Sequence, residues 1–367
     1  MINYRNNYSD FVSFWMAGNF VANGHSPYDT ALWVAGYAQN GMGEMIDRSF
    51  LYPLPLAFFF VPLGLLPLRV ANIVWVAVML FFILGVTLAL SVTRESPKVN
   101  LLLVHLLIGV VFFRPTTLGL VSGQINGLLL FLLAGSLFLF ERNKTFWGGT
   151  LLGFLMLKPN LGVALIPLTV IWLLHRKMMP ALWGLAASGL FMLAAGLLYD
   201  PHWLTEYWQV GVGKLAQTFG FSPTIWGLAH LACNYQHSCT LAVGGVVVTI
   251  LIGAFLWLLA RFPRMTPLDA FSLSITLTLL ITPYVWTYDQ LLLLIPISAI
   301  VFFLGERKRG FLPAALLFIA IDLLAVFLLV FNTVLQVEIL NGFIPLVVLG
   351  LLIWMILSKN KPQGTPR

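Results

Sequence analysis

The chain consists largely of long apolar runs that short charged clusters separate. A transmembrane α-helix needs about 20 mainly apolar residues, and a helix satisfies its own backbone hydrogen bonds inside lipid. The pattern therefore predicts an all-α, polytopic membrane protein. We expect about eleven transmembrane helices, near residues 70–92, 99–113, 124–140, 145–157, 159–175, 178–199, 240–260, 268–282, 288–304, 311–331 and 341–357.

Residues 53–67 are apolar but do not fit this series. The stretch is short and holds four prolines, which interrupt the interior of a helix. We expect a juxtamembrane or re-entrant helix here rather than a span. The pair Lys158-Pro159 separates two of the predicted spans, which form either a tight helical hairpin or one broken helix.

Composition excludes a soluble protein. Hydrophobic residues make up 60% of the 367 residues, charged residues only 9%, and the mean hydropathy is +0.94. We expect an outer segment over 1–69, a membrane domain over 70–357 and a tail over 358–367. The net charge of +7 does not indicate nucleic-acid binding, because the basic residues lie at the ends of apolar runs.

Basic clusters follow alternate spans, which predicts the orientation of the chain. We assign them to the cytoplasm, so that the C-terminal tail is cytoplasmic and the remaining connections face outward. The clusters are Arg94/Lys98, Arg142/Lys144, Arg176/Lys177, Arg261/Arg264, Arg307-Lys308-Arg309 and Lys359/Lys361/Arg367. The outward connections are 1–69, 114–123, Lys158-Pro159, 200–239, 283–288 and 332–340.

The two cysteines, Cys233 and Cys239, lie in one outward connection. They are either free thiols or a small disulfide hairpin, which an extracytoplasmic location permits. A metal site is not expected, because the two cysteines and His237 lack a fourth ligand nearby.

Unusual polar residues are concentrated in the outward connections. Polar groups close to the bilayer are costly unless they face protein or water, so these motifs are expected to share one polar cavity at the outer boundary. They are Asp10, Tyr28-Asp29, Tyr52-Pro53, Arg114-Pro115, Gly123-Gln124-Ile125-Asn126, Lys158-Pro159-Asn160 and Thr282 to Gln290.

Each of these motifs has two interpretations. Gln124 and Asn126 either cap a helix or line a site. Lys158 and Arg114 either extend to the interface or bind a phosphate, and we favour the phosphate. Asp289 is expected to be structural, holding Lys158 or Arg114.

Taken in order, these motifs resemble the glycosyltransferases of family 87, which belong to the GT-C superfamily. The matching residues are Asp10-x-x-x-Phe14-Trp15-x-Ala17-Gly18, Gly24-x-Ser26-Pro27-Tyr28-Asp29, Tyr52-Pro53, Gly123-Gln124-x-Asn126, Leu157-Lys158-Pro159 and Thr282-Pro283-Tyr284-x-Trp286-x-x-Asp289. The family ordinarily has a membrane helix directly before the loop aspartate, whereas nine residues precede Asp10 here. Either another helix lies upstream, or membrane insertion depends on a later span.

The resemblance implies a GT-C-like membrane enzyme that transfers a hexose, expected to be mannose, from a polyprenyl-phosphate sugar. The acceptor is a lipid or a glycan on the extracytoplasmic face, and transfer inverts the anomeric centre. Residues 1–69 then form the catalytic loop, with Asp10 as the general base. Lys158, Arg114, Gln124 and Asn126 bind the donor, and Tyr28, Asp29, Tyr52, Trp286 and Asp289 bind substrate.

No cofactor or metal is expected, and the partners are the two substrates and membrane lipids, with no nucleic acid. The chain lacks nucleotide-binding glycine motifs and an Asp-x-Asp pair, which fits a lipid-phosphate donor. A bacterial plasma membrane is the expected location. Two alternatives stay open: a lipid or glycan transporter or flippase, and a non-catalytic assembly subunit.

Overall fold

The computed structural model describes residues 10–40, 50–92, 110–306, 312–335 and 338–360, and within them it is helical with no strands. Three short 310 helices, Phe154–Leu157, Thr287–Leu293 and Ile339–Gly342, interrupt or precede α-helices. The α-helices are α1 (Phe11–Ala22), α2 (Thr30–Gln39), α3 (Leu54–Gly64), α4 (Leu68–Val92), α5 (Arg114–Val121), α6 (Asn126–Glu141), α7 (Thr145–Gly153), α8 (Pro159–His175), α9 (Met179–Tyr199), α10 (Trp203–Thr218), α11 (Ile225–Ala232), α12 (His237–Arg261), α13 (Pro267–Ile281), α14 (Leu294–Glu306), α15 (Leu312–Leu335) and α16 (Phe343–Lys359).

Within the described residues, five helical segments are long and apolar enough to cross a membrane. The chain is therefore a multi-pass membrane protein, but the expected count of eleven spans is not confirmed. Several of the other predicted spans appear as helices of 10–17 residues, below the roughly 20 residues that a perpendicular span needs. Most of the predicted span 99–113 lies outside the described residues. The five segments are Leu68–Ala89, Met179–Tyr199, His237–Arg261, Thr287–Leu304 and Ile339–Lys359.

The N-terminal segment contains more helix than the sequence pattern indicated. The short helix expected within 53–67 is α3, but α1 and α2 were not predicted. Helix α1 is buried on most of its surface and lies against α3. The indole of Trp15 donates to the carbonyl of Leu66 at 2.9 Å, and the Asn19 side chain donates to the carbonyl of Gly64 at 2.9 Å. A helix buried all round has no polar stripe, which explains why the pattern did not reveal it.

Helices α7 and α9 pack closely because glycines line their interface. A Cβ atom at Gly184 would lie 1.9 Å from the carbonyl oxygen of Phe146, and one at Gly149 would lie 1.9 Å from that of Ala181. Helix α8, which follows the Lys158-Pro159 break, packs mainly against α13 and to a smaller extent against α9. The main helical neighbours of the segments on either side of the break therefore differ.

Several basic clusters gather at one end of the helix bundle. The guanidinium of Arg176 donates to the carbonyl of Pro263 at 3.1 Å, and Lys359 forms an ion pair with Asp269 at 2.8 Å. Near the Arg142/Lys144 turn, the Phe140 ring contacts rings of α8 and α13. We call this the basic end. Basic clusters that follow alternate predicted spans in the sequence thus lie at the same end of the bundle. The assignment of this end to the cytoplasm stays a prediction.

Cys233 and Cys239 form a disulfide bond, so the disulfide alternative is correct. Cys233 follows α11, whose Trp226 indole donates to the carbonyl of Ile281 at 2.8 Å. Ile281 directly precedes the Thr282 to Gln290 motif. The disulfide therefore lies towards the end of the bundle that carries the polar motifs.

The α7–α9 interface predicts a local sensitivity to side-chain size. Gly184→Ala is expected to lower the free energy of unfolding by about 1–3 kcal/mol, because the new methyl group overlaps a backbone carbonyl. The control is Gly189→Ala in the same helix, where no atom beyond the adjacent residues and the local helix backbone lies within 4 Å of the added carbon. Unfolding in detergent micelles, followed by circular dichroism, compares the two variants. Equal stability of both would contradict the close approach.

Candidate active site

A buried ion pair lies at the centre of the polar motifs. The Nζ atom of Lys158 lies 2.5 Å from Oδ1 of Asp289, and both side chains are almost fully buried. Nζ also donates to Oδ1 of Asn126 at 2.9 Å and to Oε1 of Gln124 at 3.2 Å. An ammonium group has three N–H donors, so these three acceptors use its full capacity.

Gln124 connects this ion pair to Asp10. Its Oε1 atom accepts from Lys158 and, at 3.3 Å, from the hydroxyl of Tyr52, while its Nε2 atom donates to Oδ2 of Asp10 at 2.7 Å. A lysine ammonium can only donate, so it fixes which end of the amide faces it. The amide nitrogen is thereby directed at Asp10, whose Oδ2 atom acts as an acceptor.

The local sequence explains the position of Lys158. It lies between the 310 helix Phe154–Leu157 and α8, with φ −126° and ψ 83°. Pro159 at the first turn of α8 favours an extended residue before it and can begin a helix. Asn160 also ties this break to the next motif: its carbonyl accepts from the Thr282 hydroxyl, and its amide donates to the carbonyl of Tyr284 at 3.3 Å.

The position of Asp289 is set by the turn in which it lies. It belongs to the 310 helix Thr287–Leu293, and its Oδ2 atom accepts from the backbone N–H of Trp286 at 2.8 Å. The other carboxylate oxygen is left to face Lys158. The expected structural partner of Asp289 is thus Lys158. Trp286 joins the network through its backbone, and its substrate-binding role stays a prediction.

Gly123 allows Gln124 to lie beside Asp10. It has a φ of +66°, and a Cβ atom there would lie 2.5 Å from Cβ of Phe11. A side chain at this position would be strained by the backbone angle and would collide with the residue that follows Asp10.

Arg114 lies in a second, adjacent polar group. Its guanidinium donates to Oδ1 of Asn341 at 3.5 Å, and the Asn341 amide donates to the hydroxyl of Thr287 at 2.7 Å. That hydroxyl donates to Glu338 at 2.7 Å. Sequence reasoning missed Glu338 and Asn341, although the predicted outward connection 332–340 contains the glutamate and ends beside the asparagine.

Tyrosines surround the network, and Tyr288 was also missed as a site residue. Its ring centroid lies 4.9 Å from Nζ of Lys158, a distance that favours a cation–π contact. Burial, with Asp10 and Asp289 nearby, raises the pKa of Tyr52 well above its usual value. Burial likewise raises the pKa of Tyr284 to about 12. Both hydroxyls are therefore neutral at physiological pH, and that of Tyr52 donates to Gln124 rather than acting as a base.

Two predicted substrate residues lie beside the network rather than in it. The hydroxyl of Tyr28 donates to the backbone carbonyl of Tyr52 at 2.8 Å. Asp29 is exposed and caps α2, its Oδ1 atom accepting from the backbone N–H groups of Ala31 and Leu32 at 2.8 and 3.3 Å. Local helix capping accounts for this aspartate, and its substrate-binding role stays a prediction.

A buried carboxylate, amide and lysine network with a partly exposed aspartate at its edge suits a group-transfer site. The model of glycosyltransferase family 87 matches residues 50–283, more than half of the chain. The chain belongs to glycosyltransferase family 87. It is therefore a glycosyltransferase enzyme, as the resemblance implied. No curated protein and no solved structure matches the chain.

The family-87 match covers only part of the network. Tyr52, Arg114, Gln124, Asn126 and Lys158 lie within the matched residues. Asp10 and the motif around Asp289 lie outside them, and hydrogen bonds join both to the matched part.

The Lys158–Asp289 pair predicts a large loss of stability when it is broken. Lys158→Met leaves the Asp289 carboxylate buried without a cation, which is expected to lower the free energy of unfolding by about 3–5 kcal/mol. Lys158→Met with Asp289→Asn is expected to regain part of that loss, because no buried charge remains. Titration of the purified protein with a denaturing detergent measures the free energy of unfolding of the single and the double variant.

Lys359→Met is the matched control for this prediction. It also breaks a lysine–aspartate pair, but the Lys359 side chain is 32% exposed. The Asp269 carboxylate is only 7% exposed, but water reaches the lysine and screens the pair, so the loss is expected to be smaller than for Lys158→Met. Equal losses for Lys158→Met and Lys359→Met would contradict the central position of the buried pair.

Proposed function

We propose that the protein transfers a hexose, mannose being the expected one, from a polyprenyl-phosphate sugar to a lipid or glycan acceptor, with inversion. The observation that supports this best is the carboxylate of Asp10, which Gln124 holds at the edge of a buried network in a family-87 glycosyltransferase. Asp10 is the catalytic base. It takes the proton of the acceptor hydroxyl as that oxygen bonds to the anomeric carbon.

The leaving group is the polyprenyl phosphate, and the bond from its oxygen to the anomeric carbon breaks as the new bond forms. A phosphate leaves as an anion and needs no proton, so one carboxylate suffices. The developing negative charge needs a nearby cation. Arg114 is suited to this role because it is partly exposed and carries five N–H donors in a planar fork that matches phosphate.

Lys158 has a different role in this mechanism. Its three donors already have three protein acceptors, and it is only 2% exposed, so direct binding of a phosphate would require breaking the buried pair. It instead orients Gln124 and thereby Asp10. Asn126 supplies one unsatisfied group, because its buried Nδ2 atom has no hydrogen-bond partner in the structure. Asn126 is itself only 1% exposed, so an oxygen of the bound donor reaches this amide only when the side chains around it move.

The disulfide supports an extracytoplasmic location for the site. Disulfides form and persist in oxidising compartments, and Cys233–Cys239 lies towards the end of the bundle that carries the network. The basic end is opposite, as the distribution of positive charge in membrane proteins favours.

Replacement of Asp10 tests the base. Asp10→Asn keeps the acceptor for the Gln124 amide but removes the group that takes the proton, so transfer is expected to slow by about 10²–10⁴-fold with donor affinity retained. The assay follows radiolabelled sugar from polyprenyl-phosphate mannose into a membrane-lipid extract supplied as acceptor. Glu141→Gln, an exposed acid at the end of α6, is the matched control. Transfer by Asp10→Asn at the wild-type rate would overturn the mechanism.

Replacement of Arg114 tests the phosphate contact. Arg114→Gln is expected to lower kcat/KM for the polyprenyl-phosphate sugar by roughly tenfold or more, since a charged hydrogen bond contributes about 1.5–3 kcal/mol. The control is Arg176→Gln, whose guanidinium contacts the carbonyl of Pro263 at the basic end. An unchanged kcat/KM for the donor in Arg114→Gln would exclude this role of Arg114.

A further inference from the structure

A polar cleft lies between the α1–α2 connection and helix α10. Its volume is about 370 Å³. The hydroxyl of Ser26 donates to Oε2 of Glu206 at 2.6 Å, which joins the two walls across 180 positions of sequence. We call it the Ser26–Glu206 cleft. Six polar residues line it: Ser26, Tyr28, Asp29, Thr30, Glu206 and Gln209.

The lining favours a neutral, hydroxyl-rich ligand. Two carboxylates, one amide and two aliphatic hydroxyls can pair with the donors and acceptors of a sugar ring, and a tyrosine ring offers an apolar face. The charged groups that line the cleft, Asp29 and Glu206, are both negative, so a phosphate would be repelled. A metal is not favoured either, because no group of three or more His, Cys, Asp or Glu that could hold an ion occurs among the described residues.

The cleft is connected to the Asp10 network through tyrosines. Tyr28 lines the cleft, and its hydroxyl donates to the carbonyl of Tyr52, whose own hydroxyl reaches Gln124 beside Asp10. On the α10 side, the Tyr207 ring lies 6.2 Å from that of Tyr28 and also lies close to Tyr284. Tyr28 is buried, but Tyr52, Tyr207 and Tyr284 are partly exposed, and a ligand with one ring near Asp10 and the next ring in the cleft would run along these three.

The geometry points to the Ser26–Glu206 cleft as a subsite for a neutral sugar of the acceptor glycan, with Glu206 and Gln209 as its hydrogen-bonding residues. This inference rests on the proposed function, in which Asp10 activates the acceptor hydroxyl. It separates the two substrates by charge: the anionic phosphate of the donor lies towards Arg114, and the neutral acceptor lies towards Glu206. The acceptor is therefore a glycan or glycolipid whose sugar next to the attacked ring carries no charge.

Direct binding of neutral oligosaccharides tests the subsite. Mannotriose and maltotriose are titrated into the purified full chain in lipid nanodiscs, and affinity is read from saturation-transfer NMR. At least one of them is expected to bind, and Glu206→Ala and Gln209→Ala are each expected to weaken it by roughly tenfold, the loss of one or two hydrogen bonds. Glu141→Ala is the matched control and is expected to bind like the wild type.

Absence of binding by both sugars, or equal binding by Glu206→Ala and the wild type, would overturn the subsite. Thermal unfolding confirms that each variant is folded before it is compared.

A release assay distinguishes failure of the subsite from failure of the proposed function. Release of sugar from polyprenyl-phosphate mannose to water requires the Asp10 network but not the cleft, so Glu206→Ala is expected to retain it. If the wild type itself lacks release and transfer, the proposed function fails while sugar binding in the cleft is still measured.

Discussion

The buried ion pair between Lys158 and Asp289 is the interaction on which the site depends. A lysine ammonium is stable away from water only when its charge is balanced and its donors are satisfied. Asp289, Asn126 and Gln124 do both, at 2.5, 2.9 and 3.2 Å. Because these partners come from two segments, one before and one well after Lys158 in the sequence, the requirement to satisfy one cation brings distant parts of the chain together. The orientation of Gln124, and with it the environment of Asp10, follows from that requirement.

Charge and polarity are divided between the two ends of the bundle. The contacts of Arg176 and Lys359 bring basic turns together at one end, and the network with its neighbouring disulfide lies towards the other. A membrane protein gains from this division, since positive side chains are retained on one side of the bilayer while polar groups near the bilayer need protein partners. The enzyme can thus keep a polar site next to lipid, as the proposed lipid-linked donor requires.

The sequence predicted the class of the fold better than its details. Apolar runs located α4, α9 and α12 because each is long and ends at polar residues. The same reasoning missed α1, whose amide residue Asn19 donates to the backbone of α3 instead of marking a solvent-exposed face. It also overlooked Glu206, and it placed Tyr288 in an outward motif without giving it a role, because a single glutamate or tyrosine carries no periodic signal. The contact of Glu206 with Ser26 and that of Tyr288 with Lys158 distinguish these two residues from surface residues.

The order of residues alone established an all-α membrane protein, a disulfide-capable loop and a family-87 set of motifs, because hydropathy, charge placement and short motifs are local properties. The tertiary structure decided which motif residues share a site and what each contacts. It left Asp29 as a helix cap, enclosed Lys158 in a saturated set of acceptors and directed Gln124 at Asp10. Those outcomes depend on which distant segments meet, and neither hydropathy nor spacing carries the donor and acceptor pairing that determines them.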